Sequence, residues 1–242
     1  MHLIFEITHK CPAKCPQCPL KTNRTTIDVT TFGKAINMFR NVPSRRYLLT
    51  ISGGEPSVLD NLAEYVREGK NTGYTVTIVT NGYNPERVVS AKPDAIQVSI
   101  DYYGKRHDEN RGVKLWDNIQ YLLRKIERGE VAGFARMTLT KDNIQDLKKV
   151  YENFDVPILA MPIKGNHNKT PTEEQIKEAK KYAILPKTCP VGKGQFVLTP
   201  ELRALDCIFT RNFVGSLNPA DANSFEELVK KYGKLDPYPC IR

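Results

Sequence analysis

The order of apolar runs and helix-like stretches is the feature that most constrains the fold of this chain. Apolar runs typical of β-strands lie at residues 3–8, 47–52, 74–79, 95–100, 134–139 and 156–161. Helix-like stretches lie between or after them at 31–40, 61–70, 85–90, 114–128 and 143–154. Strands that alternate with helices indicate a parallel sheet wound in βα units. The sequence therefore predicts an α/β fold.

Polar and glycine-rich motifs follow the first four predicted strands. They are Cys11, Cys15 and Cys18 in a C-x3-C-x2-C array, then Gly53-Gly54-Glu55-Pro56, then Thr80-Asn81-Gly82, and finally Asp101. A Gly-Gly or Asn-Gly pair alone is usually just a turn. In βα barrels, however, functional residues cluster at the carboxyl ends of the strands. The common position of the four motifs therefore predicts a site at one rim of the sheet.

The three cysteines of the first loop have the spacing of metal ligands. Three thiolates within eight residues can bind three irons of a cubane [4Fe–4S] cluster and leave the fourth iron open to a substrate or cofactor. A structural site, in contrast, is normally filled by four protein ligands. A zinc site completed by His9, or inert thiols, are the alternatives. Because no signal peptide precedes the array, we expect a cytoplasmic chain, in which metal binding is favoured over disulfides.

Together with Ser99-Ile100-Asp101 in the fourth strand, these motifs resemble the radical S-adenosylmethionine (radical SAM) superfamily over roughly residues 2–165. The resemblance implies a partial (β/α)6 TIM-like barrel core at 1–165, followed by an extension at 166–242. It also implies a [4Fe–4S] cluster on the three cysteines, with S-adenosylmethionine chelating the open iron. One electron from the cluster would then cleave the cofactor, and the 5′-deoxyadenosyl radical would abstract hydrogen from a substrate.

The resemblance further implies a set of cofactor-binding residues. They are Gly53, Gly54, Glu55, Pro56, Thr80, Asn81, Ser99, Asp101, Arg136 and Met161. The glycine pair lacks Cβ atoms, so its backbone could approach the methionine amino group, and Glu55 suits an ammonium. Thr80 and Ser99 would contact the methionine or ribose. Arg136 could grip the cofactor carboxylate, a barrel-edge ion pair being the alternative. Met161 would lie near the adenine unless it only packs in the core. No catalytic side chain is identified.

The remaining cysteines, Cys189, Cys207 and Cys240, fall after the predicted barrel. Between the first two, residues 195–198 and 202–205 predict a β-hairpin that turns at 199–201. This hairpin resembles the Twitch or SPASM extensions, which hold auxiliary [4Fe–4S] clusters. A full SPASM pattern has more cysteines, so we expect one auxiliary cluster at most, with Asp206 or His167 as a candidate fourth ligand. Isolated thiols, or zinc, are the alternatives.

Composition constrains the partners. The chain has 36 basic and 27 acidic residues, a net charge of +9, which favours an anionic partner. The basic clusters at 177–187 and 230–234 indicate solvated helix faces, and no aromatic-interleaved RNA-binding motif appears, so nucleic acid is not favoured. The expected electron donor is a low-potential ferredoxin or flavodoxin. The 40% apolar content predicts no membrane span.

We therefore expect a radical SAM enzyme that modifies a peptide or protein with the help of one auxiliary cluster. The same chemistry on a small anionic metabolite or nucleotide, as in a cyclase of cofactor biosynthesis, is the alternative within the enzyme class. A zinc-binding scaffold without activity is the alternative outside it.

Overall fold

The computed structural model describes residues 1–20, 24–163 and 168–236. Its strands are β1 His2–Thr8, β2 Leu48–Gly53, β3 Thr75–Thr80, β4 Ala95–Ile100, β5 Gly133–Leu139, β6 Ile158–Pro162, β7 Gln195–Leu198, β8 Arg203–Leu205 and β9 Phe213–Ser216. Its helices are α1 Val29–Met38, α2 Leu62–Asn71, α3 Pro85–Ser90, α4 Lys105–Arg111, α5 Trp116–Glu127, α6 Ile144–Asn153, α7 Glu173–Ala179 and α8 Ala222–Gly233. The predicted alternation of strands and helices is confirmed.

Within these residues the strands form one sheet in the order β6-β5-β4-β3-β2-β1-β7-β8-β9. Strands β1 to β6 run parallel, as predicted, and the sheet does not close into a full barrel. The predicted hairpin is present as antiparallel β7 and β8. Because β7 also pairs in parallel with β1, the hairpin extends the barrel sheet instead of standing apart from it.

The two faces of the sheet bury different residues. The outer face carries fully buried apolar side chains such as Phe5, Ile51 and Ile78, which pack against the helices. Each such side chain stabilises the fold by about 1.5–3 kcal/mol. Since side chains alternate along a strand, this outer packing fixes which residues face the interior of the partial barrel, among them Thr50 and Gln97.

Helix α4 was not predicted from the sequence. Its seven residues, Lys105–Arg111, are nearly all charged or polar, so they show no apolar period. The helix is bounded by Gly104 and Gly112, whose φ angles of +66° and +65° suit glycine. It nevertheless buries His107 and Arg111 against the sheet, and Arg111 is therefore positioned next to the loop of the three cysteines.

Two predicted ligands, His167 and Cys240, lie outside the described residues, as does part of the segment after β6. Among the helices that the structure does describe, none combines the length and the apolar character needed to cross a membrane.

Candidate active site

The loop of Cys11, Cys15 and Cys18 leaves the carboxyl end of β1 and contains no helix or strand. Cys11 is exposed, the other two are half-buried, and all three are free thiols. Backbone hydrogen bonds fix the stem of the loop against β2, from Gly54 N to Thr8 O at 2.7 Å and from Glu55 N to Lys10 O at 2.9 Å. The cysteine loop and the Gly-Gly-Glu-Pro loop therefore form one connected rim.

The two glycines are required by this contact between strand ends. Gly53 has a φ angle of +130°, and a Cβ there would lie 2.1 Å from Thr8 O. A Cβ on Gly54 would lie 2.3 Å from Lys10 O. Pro56, which is buried, then starts a single 3₁₀ turn. The glycines were expected to admit a ligand, and the structure gives a second reason for them, the close approach of β1.

Glu55 connects the carboxyl ends of β2 and β3. Its buried carboxylate accepts hydrogen bonds from Ser57 N at 3.0 Å and Thr80 Oγ1 at 2.8 Å. It also accepts one from Asn81 N at 2.6 Å. Burial raises the pKa of Glu55, and these hydrogen bonds oppose that rise. Asn81 Nδ2 in turn donates to Cys11 Sγ at 3.5 Å, so the third predicted motif also reaches the cysteine loop.

Asp101, at the end of β4, is held by residues of α4. Its Oδ2 lies 2.9 Å from Arg111 Nε and accepts from Asn110 Nδ2 at 3.0 Å. The Nε contact is an ion pair, because the N–H is not directed at the oxygen. Burial opposes the charge of Arg111, but the Asp101 carboxylate keeps the pKa of Arg111 above its ordinary value. Lys14 N donates to Arg111 O at 2.7 Å, which attaches α4 to the cysteine loop near Cys15.

The donor set of the loop fits an iron–sulfur group. Although the Cys11 residue is exposed overall, partial desolvation of its thiol, together with the nearby Glu55 carboxylate and the other two thiols, raises the pKa of Cys11 to about 11. Burial also raises the pKa of Cys15. The thiols of Cys11 and Cys15 therefore resist ionisation alone, and a bound cation relieves that resistance because metals bind the thiolate form. Sulfur ligands of this kind suit iron–sulfur clusters and zinc.

The zinc alternative drew on His9 as a fourth ligand. His9 Nε2 lies 2.9 Å from Glu6 Oε2, so that nitrogen is already paired with a carboxylate. No group of three histidine, cysteine or carboxylate side chains is arranged to hold a single metal ion in the part of the chain that the structure describes.

A cavity of about 360 Å³ lies inside the partial barrel. It is lined by inward-facing residues of β1 to β6 and by residues from segments 186–191 and 207–209. Arg136 and Met161 both line it, and Ser99 is next to Arg136 in the β4–β5 register. Arg136 makes no ion pair or hydrogen bond with the described residues, although its guanidinium lies 5.5 Å from the centre of the Phe209 ring. The barrel-edge ion pair considered for Arg136 is therefore not formed there.

Cys189 and Cys207 are both buried, pack in one small cluster and line the same cavity. The structure thus brings together two of the three predicted auxiliary ligands, while Cys240 lies outside its described residues. Asp206, considered as a fourth ligand, accepts hydrogen bonds from Cys207 N at 2.6 Å and from Asn212 N at 2.9 Å. Its carboxylate therefore organises its own loop.

Sequence reasoning missed an ionic group beside the rim. Arg211, after β8, donates to Glu6 Oε1 at 2.6 Å and to Glu6 Oε2 at 3.0 Å. Burial raises the pKa of Glu6, but its hydrogen bonds with His9 and Arg211 outweigh that effect and hold the pKa below its usual value. The signal was a single glutamate among the otherwise apolar residues 3–7 of β1, since a buried carboxylate needs a partner.

Residues 5–154 match the family model described as Radical SAM superfamily. A protein of Methanocaldococcus jannaschii, provisionally named a glycyl-radical enzyme activating enzyme, is 26% identical over 200 residues. The aligned region covers 74% of this chain and 75% of that protein.

Solved structures share the fold. The protein anSMEcpe with bound AdoMet superposes with a TM-score of 0.69 at 14% identity, covering 96% of this chain and 82% of that one. SuiB of Streptococcus suis bound to its precursor peptide SuiA gives a TM-score of 0.70 at 13% identity, covering 97% of this chain and 66% of that one. At these identities the likeness is one of fold.

Proposed function

Since this chain belongs to the radical SAM superfamily and is an enzyme, we propose that it abstracts a hydrogen atom from a peptide or protein substrate. Cys11, Cys15 and Cys18 would bind the [4Fe–4S] cluster. Once bound, the cluster and S-adenosylmethionine supply a reductive carbon–sulfur cleavage and the radical that takes the hydrogen.

One observation carries the proposal, namely the connected rim around the cysteine loop. Backbone bonds from Gly54 and Glu55 hold the stem of that loop, and the Asn81 side chain contacts Cys11 Sγ. Three predicted motifs, distant in sequence, are thereby joined at one place. A loop held on several sides keeps its ligands close to the geometry that a cluster needs.

The cofactor would be held by residues of the rim and the upper part of the cavity. The Gly53 and Gly54 backbone, with Glu55 beneath it, offers oxygen acceptors to the methionine ammonium. Arg136, whose guanidinium makes no ion pair or hydrogen bond among the described residues, is available for the methionine carboxylate, since a planar guanidinium binds carboxylates bidentately. Ser99 would contact the ribose and Met161 would pack on the adenine. Thr80 would act through Glu55, to which it donates a hydrogen bond. Asp101 would act through Arg111, with which it forms an ion pair.

The auxiliary cluster would be bound by Cys189, Cys207 and Cys240. Its support is the burial of the first two thiols in one cluster that opens on the cavity. The extension would then be of the Twitch or SPASM kind.

The substrate class is supported by the relatives. One is provisionally named as an activating enzyme for a glycyl-radical enzyme, and the fold neighbours include anSMEcpe with AdoMet and a Cp18Cys peptide and SuiB with its precursor peptide. We further propose a cytoplasmic enzyme that receives electrons from a ferredoxin or flavodoxin. The net charge of +9 on this chain would attract an acidic electron donor of that kind.

The test is to purify the protein without oxygen, reconstitute it, and measure iron, sulfide and dithionite-driven 5′-deoxyadenosine. We expect about eight irons per chain in the parent, four for each cubane. The triple variant C11A/C15A/C18A should keep about four irons and release no 5′-deoxyadenosine.

The double variant C189A/C207A is the matched control, because it removes thiols at the other site. It should also keep about four irons, those of the rim cluster. About four irons in the parent, all lost in the triple variant, would remove the auxiliary cluster from the proposal. Zinc in place of iron, with no cofactor cleavage, would overturn the proposal as a whole.

A further inference from the structure

The cavity inside the partial barrel has walls of two kinds. Strands β1 to β4 each contribute one polar side chain to it, namely His2, Thr50, Thr77 and Gln97, and β1 and β2 also contribute the apolar Ile4 and Leu48. The side formed by β5, β6 and the loop after β8 contributes Phe134, Leu159, Met161 and Phe209, with Arg136 as its one charged residue among those described. A ligand that fills the cavity therefore meets four hydrogen-bonding side chains on the side of β1 to β4 and mostly apolar groups on the side of β5 and β6.

Gln97 is the most informative residue of the polar wall. It is only 7% exposed, yet its amide makes no hydrogen bond to any residue that the structure describes. The amide atoms are open to the cavity instead of being enclosed by protein, so their hydrogen bonds must come from what occupies the cavity, and an amide left unpaired costs free energy. Its neighbours in the sheet register, Val79 and Phe134, offer no polar side chain. The amide of Gln97 is thus directed at the cavity with its donor and its acceptor both unused.

The polar wall carries no net charge. His2 Nε2 lies 2.8 Å from Thr50 Oγ1. Burial, the N-terminal ammonium and the charge of Arg136 lower the pKa of His2 to about 4, so the imidazole is neutral at neutral pH. None of the four polar side chains of this wall is a cation, and the charges that act on His2, the N-terminal ammonium and Arg136, belong to other parts of the structure.

We propose that the polar wall is the substrate-recognition surface and that it takes an uncharged carboxamide or peptide group on an apolar stem. A primary amide such as that of Gln97 pairs reciprocally with another amide, one donor and one acceptor on each side. A carboxylate would place oxygen against oxygen, and a ketone would leave one hydrogen bond unmade. The inference rests on the proposed function, in which Arg136 is used by the cofactor, and it makes Gln97 a specificity-determining residue.

The test uses three molecules of one shape on the reconstituted enzyme with S-adenosylmethionine bound and without reductant, so that Arg136 is occupied and no turnover occurs. They are hexanamide, hexanoate and 2-heptanone, which differ only in the group beside the carbonyl. Binding is measured by ligand-observed NMR titration. We expect hexanamide to bind about tenfold more tightly than either of the others, the size of one good hydrogen bond.

Gln97→Met should remove this preference, because it keeps the length of the side chain and loses both hydrogen-bonding atoms. Gln145→Met, on the exposed face of α6, is the matched control and should bind as the parent does. Thr77→Val, at a neighbouring position of the wall, gives a second variant should Gln97→Met fold poorly, and it should weaken hexanamide binding.

Hexanoate binding as tightly as hexanamide, no binding of any of the three, or a preference that survives Gln97→Met would overturn the inference. Release of 5′-deoxyadenosine by the parent is measured separately. Cofactor cleavage without an amide preference would sink only this inference, whereas an amide preference without cleavage would sink the proposed function.

Discussion

Removal of either partner of the buried ion pair between Asp101 and Arg111 is predicted to destabilise the fold. The two side chains are 7% and 9% exposed, and Oδ2 lies 2.9 Å from Nε. At an effective dielectric constant of about 20, two charges at that distance attract by about 6 kcal/mol. Desolvation of both ions offsets much of this gain, so the pair is weak in net terms, but removing one partner leaves a buried charge unpaired, at a cost of about 3–5 kcal/mol.

We expect Arg111→Met and Asp101→Asn each to lower the free energy of unfolding by about 3 kcal/mol, the lower end because the Nε–H is poorly directed. The double variant should lose about 3 kcal/mol instead of the sum of about 6 kcal/mol, a coupling energy of about 3 kcal/mol, since no unpaired charge remains. The measurement is urea unfolding of all four proteins, followed by circular dichroism.

A matched control lies on the same helix. Lys105 and Glu109 also form an ion pair, at 3.4 Å, but their side chains are 89% and 60% exposed. Lys105→Met should therefore change stability by less than about 0.5 kcal/mol. If the losses in Arg111→Met and Asp101→Asn add without coupling, or if Lys105→Met costs as much as Arg111→Met, the reasoning from burial is wrong.

Three further predictions concern other parts of the site. Arg211→Met should destabilise the protein by about 3 kcal/mol in urea unfolding, because the buried Glu6 carboxylate loses the two hydrogen bonds of the guanidinium. Arg211→Lys should destabilise it less, because lysine keeps the positive charge. Equal losses in the two variants would show that the paired hydrogen bonds, and not the charge, carry the effect. Because the folded pKa of His2 lies at about 4, below its ordinary value of 6.5, the unfolded chain binds the proton first, and stability should fall by up to about 3 kcal/mol as pH drops from 6.5 to 4. His2→Gln should flatten that part of the pH profile, and an unchanged profile would contradict the assignment. Gly54→Ala places a Cβ 2.3 Å from Lys10 O. It should lower the free energy of unfolding by about 1–3 kcal/mol and should also lower the iron content after reconstitution. A variant that retains full iron would show that the rim tolerates the displacement.

The sequence was sufficient for the parts of the fold that depend on local pattern. Apolar runs and their spacing predicted strands β1 to β6 and helices such as α3 within a few residues, because side-chain period is a local property. Helix α4 escaped notice for the same reason, since a helix of charged residues between two glycines shows no apolar face. Its stability comes from tertiary contacts such as the burial of His107, which no local pattern records.

Contacts between residues that are distant in sequence could be predicted only in part. The four rim motifs could be placed together because parallel strands share a carboxyl edge. The partners of Glu55 and Asp101, however, depend on how loops fold over that edge, and the pairing of β7 with β1 joins residues 193 positions apart, such as His2 and Gln195. Gln97 is a polar residue within an apolar run, which the sequence shows. That its amide is unpaired is apparent only from the positions of the surrounding side chains.

Strand β1 is the element on which the rim, the cavity and the extension all depend. Its carboxyl end leads into the cysteine loop, its first residue His2 lies in the polar wall of the cavity, and Glu6 between them holds Arg211 of the extension. Because β7 pairs with the same strand, a shift of the extension cannot leave the cysteine loop unaffected. Loss of the Glu6–Arg211 contact should therefore lower both iron retention at the rim and ligand affinity inside the barrel. Loss of the Gln97 amide should lower only the ligand affinity in the cavity.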